Sequence, residues 1–156
     1  MCLKGYGSDS LSLNTLVESL SELPELRKLV MIGVDDELTK ENFEKLVSSF
    51  HQLETLETSG GQAGVDILPS LSKLKHLKRL TFIRKNLESF EQVLRFVSNL
   101  DPEAQKGFFL SLITRSAQTA DDIQEAIWTR AEGRFELTPW PDVDDDEDTI
   151  EMTWGF

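Results

Sequence analysis

A register of apolar residues that occurs three times is the feature that most restricts what this chain can fold into. Counted from Leu77, apolar residues lie ten, six and three positions before and three positions after it, and the same offsets from Leu53 and Leu26 again fall on apolar residues. The positions are Leu16, Leu20, Leu23, Leu26 and Leu29; Phe43, Val47, Phe50, Leu53 and Leu56; and Ile67, Leu71, Leu74, Leu77 and Leu80. A register kept over three copies predicts one structural unit that recurs along the chain.

Each copy reads as a helix followed by a strand. Apolar residues spaced by three and four predict helices at about 11–22, 40–50 and 65–74, the last partly 3₁₀, and short β-prone runs predict strands at 26–32, 53–58 and 77–83. A helix ending near Leu100, a strand at 108–114 after an insertion, a helix at 119–133 and a strand at 135–138 continue the alternation. Period-2 alternation at 150–154 predicts an edge strand.

Alternation of helix and strand with a period of 24 to 30 residues predicts parallel strands joined by helical crossovers. Charged residues interrupt the strands, which indicates that one face of the sheet meets water. We therefore expect an α/β solenoid with its repeats stacked in chain order. Its boundaries are predicted as 1–138 for about five repeats and 139–156 for an acidic loop and an aromatic C-terminal cap or tail.

The strand segments carry the pattern LxxLxL, which resembles the leucine-rich repeat family. The pattern is matched at Leu26-x-x-Leu29-x-Met31 and Leu77-x-x-Leu80-x-Phe82, and in part at Leu53-x-x-Leu56-x-Thr58. The repeat length is similar to that of the ribonuclease-inhibitor-like class, but the repeats are degenerate, because Val34, Gly61 and Lys85 stand where the family has Asn or Cys. The resemblance implies strands on a concave face, helices on a convex face, an intracellular location and protein binding without catalysis.

Charge and cysteine content narrow the function classes. The chain has 28 acidic and 16 basic residues and a formal net charge of −12, so it repels phosphate backbones and nucleic acid is not expected as a ligand. No run of 18 apolar residues occurs, so no membrane contact is expected. Cys2 is the only cysteine, so no internal disulfide can form, and we expect a reducing, cytoplasmic location.

No group of residues in the sequence has the spacing of a catalytic or metal site. His51 and His76 each precede a predicted strand and are interpreted as turn residues. Residues 59–64 have the glycines of a phosphate loop without its lysine, which favours a connector. The acidic run 142–148 lacks the glycine and terminal glutamate of an EF-hand, which favours a solvated segment or a contact with a basic partner. No enzyme activity, cofactor or metal is therefore expected.

The strand face is the predicted binding surface. Its residues alternate with the apolar Leu29, Leu56 and Leu80, and they are Lys28, Val30, Thr55, Glu57, Arg79 and Thr81. Their mixed chemistry suits a protein partner better than a polyanion. The aromatic residues Trp128, Trp140, Trp154 and Phe156 are interpreted either as an end cap or as a further interface.

Two function classes remain open from the sequence. The first is a non-catalytic interaction module, expected to be the terminal part of a longer intracellular receptor or adaptor, such as an innate immune receptor. A severed repeat array of this kind would self-associate through its exposed edge. The alternative is a small acidic inhibitor or immunity-type protein that neutralises a basic enzyme by charge; it would be monomeric and would bind with steep salt dependence.

Overall fold

A parallel β-sheet is the centre of the fold. The computed structural model describes residues 2–4, 15, 18–32, 38–87, 90–115 and 121–141. Within these residues, six strands pair in the order in which they occur in the chain, and every neighbouring pair is parallel. The strands are β1 (Cys2–Lys4), β2 (Lys28–Ile32), β3 (Thr55–Thr58), β4 (Arg79–Ile83), β5 (Phe109–Thr114) and β6 (Arg134–Pro139). The predicted α/β class with parallel strands is confirmed.

Helical segments connect the successive strands, as parallel pairing requires, because the chain must return to the end of the sheet where the next strand starts. Residues 18–21 are helical and precede β2. The later connections contain α1 (Lys40–Ser49), a 3₁₀ helix (Gly61–Ile67) that continues into α2 (Leu68–Leu71), α3 (Glu91–Ser98) and α4 (Asp121–Ala131). Neighbouring helices along the chain contact one another: α1 contacts the 3₁₀ helix, α2 contacts α3, and α3 contacts α4.

The hydrophobic core contains residues from the strands and from these helices. Strand register places Leu29, Leu56, Leu80 and Leu110 side by side on adjacent strands, and each is at most 1% exposed. They share one cluster with the apolar faces of the helices, among them Phe43, Leu46, Val47, Ile67, Leu71, Val93, Phe96, Val97, Ile123 and Ile127. Burial of this many large apolar side chains is the main favourable term in the stability of such a domain.

The predicted repeat positions are buried in the second and third copies. All ten residues at these positions, from Phe43 to Leu56 and from Ile67 to Leu80, are no more than 5% exposed. The first copy departs from the pattern, because Leu23 is 42% exposed and Leu26 is only half-buried. The preceding strand in the described part of the chain is the three-residue β1, which offers a shorter surface for the first copy to pack on.

Helix α1 begins where the sequence predicts. The side chain of Thr39 accepts a hydrogen bond from the backbone N–H of Asn42 at 3.3 Å, the bond expected of an N-cap threonine. A 3₁₀ turn that begins at Gly61 precedes the third predicted helix, and a kink at Gly64 (φ 56°, ψ −127°) separates this turn from the residues that lead into α2. Pro69 lies in the first turn of α2, where its missing N–H has no intrahelical partner to lose.

The insertion before β5 forms a turn that is held by a buried glutamine. The repeat from Leu80 to Leu110 is 30 residues long, against 24 from Leu56 to Leu80. Gln105 is fully buried. Its amide nitrogen donates to the carbonyl oxygens of Leu74 (3.3 Å) and Leu77 (3.0 Å), and its amide oxygen accepts from the N–H of Asp101 (2.9 Å).

Strand β1 was not predicted from the sequence. Its three residues pair with Val30, Met31 and Ile32 of β2, so the sheet has one more strand at its amino-terminal edge than the repeat pattern indicates. The predicted edge strand at 150–154 lies outside the described residues. The same holds for most of the predicted first helix.

Candidate interaction surface

The strand residues that alternate with the core residues form a second face of the sheet, here called the outer strand face. Strand register arranges them in three rows. The basic row contains Lys28, Thr55, Arg79, Phe109 and Arg134. The mixed row contains Val30, Glu57, Thr81, Ser111 and Glu136. The third row contains Ile83, Ile113 and Thr138.

The six residues predicted to bind a partner are brought together in the first two of these rows. Lys28 pairs in register with Thr55, which pairs with Arg79. In the same way Val30, Glu57 and Thr81 lie side by side. Lys28 and Arg79 are exposed, and Thr55 and Glu57 are half-buried.

The expectation that all six residues face solvent is wrong for Val30 and Thr81. Val30 is 5% exposed and Thr81 is 8% exposed. Both side chains are short and β-branched and stand on strands with neighbours on either side. On an inner strand the opposing side chains lie about 5 Å away, and for Thr81 these belong to Glu57 and Ser111. The exposed part of the surface is therefore formed by the longer charged residues.

Two further residues of the basic row were missed by the sequence analysis. Phe109 follows Arg79 in the row, and Arg134 follows Phe109. The guanidinium carbon of Arg79 lies 4.6 Å from the centre of the Phe109 ring, a cation–π contact that holds the charged group in one position. The signal for both residues was available, because they alternate with the apolar Leu110 and Phe135.

The basic row differs in charge from the molecule as a whole. Lys28, Arg79 and Arg134 lie on alternate strands, and neighbouring strands are about 4.8 Å apart, so the Cα atoms of successive basic residues are separated by about 10 Å. The guanidinium group of Arg79 departs from this even spacing, because it lies over the Phe109 ring on the neighbouring strand. An otherwise acidic chain thus presents three basic residues along one row of the sheet.

Three apolar residues on the outer strand face are buried outside the main core. Val30, Ile83 and Ile113 are 5%, 8% and 2% exposed, yet none belongs to the core cluster that the helices share. Ile83 and Ile113 are direct neighbours in the register. The outer strand face therefore combines charged residues at the amino ends of the strands with apolar residues toward their carboxyl ends.

The glycine-containing loop at 59–64 is organised around an arginine. One guanidinium nitrogen of Arg84 donates to the carbonyl oxygens of Gly61 (3.0 Å) and Ser59 (3.4 Å). A phosphate loop would instead direct free backbone N–H groups at its ligand. Here the N–H groups of Gly60, Gln62 and Gly64 are already bonded within the protein, which supports the interpretation of this loop as a connector.

The remaining candidate residues lie apart from one another. His51 and His76 are exposed turn residues, as predicted. Across the described ranges, no group of three or more His, Cys, Asp or Glu side chains could hold a metal ion. Trp128 on α4 is 61% exposed, so it does not fill the end of the core as a cap would. The helices within the described ranges are all too short or too polar to cross a bilayer.

Comparison with known proteins gives no family assignment. No family model matches the chain, and the search of curated proteins finds no match.

Proposed function

We propose that this chain is a non-catalytic protein interaction module, built as a short leucine-rich-repeat solenoid, that binds a partner protein through its outer strand face. The observation that carries the proposal is the order of the sheet: every strand pairs with the strands next to it in the chain. A crossover between parallel strands is right-handed in nearly all proteins. When each new strand is added on the same side of the previous strand, right-handed crossovers all lie on one face of the sheet, as in a solenoid.

Equivalent positions of successive units support the same proposal. The residues Leu29, Leu56, Leu80 and Leu110 are neighbours in the sheet and are equally buried. Units that repeat in this way bury their apolar faces against their neighbours and leave an extended surface on the strand side. Such surfaces are the usual binding sites of repeat proteins, because many side chains with a regular spacing point in one direction.

The chemistry of the outer strand face favours a protein as the partner. Arg79 and Phe109 form a stacked pair in the middle of the basic row, and arginine and aromatic residues are enriched at the centres of protein interfaces. Glu57 lies in the next row beside them. Charges of both signs next to apolar side chains suit a protein surface, whereas a polyanion would need cations alone.

A capture experiment with charge-reversed variants tests the proposal. The immobilised wild-type chain is compared with Arg79→Glu and Glu57→Lys on the strand face, and with Lys45→Glu on α1 and Glu125→Lys on α4 as matched controls at exposed helix positions. Retained proteins are quantified by mass spectrometry. We expect a common set that is held by the wild type and both helix variants and is reduced about tenfold by each strand-face variant.

The opposite pattern contradicts the proposal. Equal retention by the strand-face variants and the wild type would exclude the outer strand face as the binding site. Loss of retention in the helix variants alone would move the site to the other side of the molecule.

A further inference from the structure

Two arginines flank a phenylalanine on the outer strand face. Register places Arg79 on β4, Phe109 on β5 and Arg134 on β6 in one row. Both arginines are exposed, and Phe109 is half-buried between them. We propose that these three residues form a carboxylate clamp, which binds one aspartate or glutamate side chain of the partner protein. The inference rests on the proposed function, because it names the chemical group that the outer strand face binds.

The side chain of Arg79 is directed toward the strand that separates it from Arg134. Its guanidinium carbon lies 4.6 Å from the centre of the Phe109 ring. Glu57 lies diagonally across on the opposite neighbouring strand, within reach of a long side chain, but the two residues form no ion pair. The guanidinium of Arg79 is thereby brought to within about one strand spacing, 4.8 Å, of the strand that carries Arg134.

Both arginines keep their hydrogen-bond donors for a ligand. A guanidinium has five N–H donors, and a phenyl ring has no oxygen or nitrogen acceptor, so the contact with Phe109 leaves the donors of Arg79 unused. Within the described ranges, neither Arg79 nor Arg134 takes part in an ion pair or a side-chain hydrogen bond. Four other arginines do bind a carboxylate or carbonyl oxygen: Arg27, Arg84, Arg95 and Arg130. In a chain with 28 acidic and 16 basic residues, two neighbouring arginines without such a partner indicate a site for an external anion.

A single carboxylate can reach both arginines. The Cα atoms of Arg79 and Arg134 are about 10 Å apart, and the stacked guanidinium of Arg79 covers about half of this distance. Arg134 can approach the same position from β6, because an arginine side chain is longer than one strand spacing. A carboxylate offers two oxygens with about four acceptor positions, which allows hydrogen bonds to both guanidinium groups. The Phe109 ring shields the site from water on one side, which strengthens such charged hydrogen bonds.

The neighbouring row favours a carboxylate over a phosphate. Glu57 lies diagonal to Arg79, and Glu136 follows Arg134 by two residues on the same face of the sheet. Each is about 7 Å from the nearer arginine by strand geometry, so both repel an anion in the clamp. A carboxylate carries one negative charge, whereas a phosphate ester carries about 1.5 to 2. The repulsion is therefore roughly half as large for the carboxylate.

A titration with a small carboxylate tests the clamp without the partner. The probe is the α-methylamide of N-acetylglutamate, and the comparison ligands are the matching glutamine compound and inorganic phosphate. Binding to the isotope-labelled full chain is followed at constant ionic strength by NMR of the arginine Nε–H groups. The wild type is compared with Arg79→Gln, Arg134→Gln and Phe109→Leu. Arg115→Gln is the matched control, because Arg115 is exposed just after β5 and its replacement removes the same charge outside the clamp.

The clamp predicts coupled behaviour of its two arginines. In the wild type, the signals of Arg79 and Arg134 should shift with one dissociation constant of the order of 10 mM, as a few exposed ionic hydrogen bonds provide. Replacing either arginine should weaken binding at the other about fivefold, because they share the ligand. Phe109→Leu should weaken binding about threefold, since it removes the cation–π contact that positions Arg79. Arg115→Gln should retain the wild-type constant, and the glutamine compound should cause no shift.

Three results would overturn the inference. The first is an unchanged titration of Arg134 in the Arg79→Gln variant, since each arginine would then bind its own anion. The second is equal weakening by Arg115→Gln, which would reduce the effect to overall charge. The third is tighter binding of dianionic phosphate than of the glutamate probe.

Failure of the clamp is distinguishable from failure of the proposed function. Thermal melts by circular dichroism verify that each variant is folded. If the titrations contradict the clamp while Glu57→Lys still reduces protein capture, the outer strand face binds its partner through other contacts. If capture is independent of this face while the titrations show coupled arginines, the site binds small carboxylates but not the partner, and the inference is overturned together with the proposed function.

Discussion

Replacing Gln105 by alanine tests the turn before β5, which accommodates the 30-residue separation of Leu80 and Leu110. Gln105 is completely buried and makes three hydrogen bonds through its side-chain amide, two to the turn before β4 and one to the start of its own turn. The substitution Gln105→Ala removes all three bonds and leaves the carbonyl oxygen of Leu77 and the N–H of Asp101 without these partners. The turn before β5 then loses its polar connection to the preceding repeat.

The expected loss of stability follows from these bonds. A buried hydrogen bond contributes about 1 kcal/mol net, and an unsatisfied buried group costs about 1 to 3 kcal/mol. Loss of the amide and its packing should therefore lower the free energy of unfolding by about 3 to 4 kcal/mol. In a chain of this size each kcal/mol corresponds to roughly 2 to 4 °C in melting temperature, which gives a decrease of about 10 °C.

Urea unfolding followed by circular dichroism measures this loss, with Gln52→Ala as control because Gln52 lies exposed in a turn. The control should change stability by less than about 0.5 kcal/mol. Gln105→Met keeps most of the volume and removes the bonds, so it separates packing from hydrogen bonding. If Gln105→Ala and Gln105→Met both stay within about 1 kcal/mol of the wild type, the assignment of this residue as the connection between repeats is refuted.

The isosteric change Gln105→Glu adds a dependence on pH. Burial and the two facing carbonyl oxygens disfavour the charged form, so the folded state should raise the pKa of the new carboxyl above its unfolded value of about 4.3. The variant should therefore be least destabilised below about pH 4, and the destabilisation should grow as pH rises through the raised pKa. Denaturant midpoints between pH 4 and 7, relative to the wild type, measure this trend; a constant difference would contradict it.

Three other predictions follow from local geometry. Gly60→Ala should destabilise the fold by about 2 kcal/mol or more, since Gly60 has φ +80° and a Cβ there would lie 2.4 Å from the backbone oxygen of Gly64. Gly107→Ala is the comparison, because Gly107 has a similar φ of +78° but open space around the added Cβ. In the same urea assay it should cost only about 1 kcal/mol. Phe96→Ala should cost about 3 to 5 kcal/mol in thermal unfolding, because the ring is fully buried and packs edge-on at 5.8 Å against Phe108; a loss below about 1 kcal/mol would contradict this packing. The backbone N–H groups of Ala104 and Glu103 donate hydrogen bonds to the Asp101 carboxylate, and these bonds lower its pKa. The stability that Asp101 contributes is therefore present at neutral pH and is lost as pH falls through the lowered pKa. Carboxyl NMR titration compares this pKa with that of an aspartate in a short unfolded peptide, and an equal or higher pKa would contradict the prediction.

The sequence by itself determined the local elements of this protein. The faces of α1 and α4 were predicted from residues three and four positions apart, and Phe43, Val47, Ile123 and Ile127 are buried as expected. Alternation at period two also separated Leu29, Leu56 and Leu80 from the outer strand face. These features depend on neighbours within about two turns of the same segment, so the chain encodes them directly.

Only the tertiary structure decided how these segments combine. Pairing of β1 with β2 joins residues 28 positions apart, and nothing in the three residues Cys2–Lys4 marks them as a strand. The stacking of Arg79 on Phe109 and the burial of Val30 and Gln105 likewise depend on partners in other repeats. The physical reason is that strand register sets these contacts. A shift of one residue would turn every side chain to the opposite face, so a surface shared by several strands exists only once the sheet has formed.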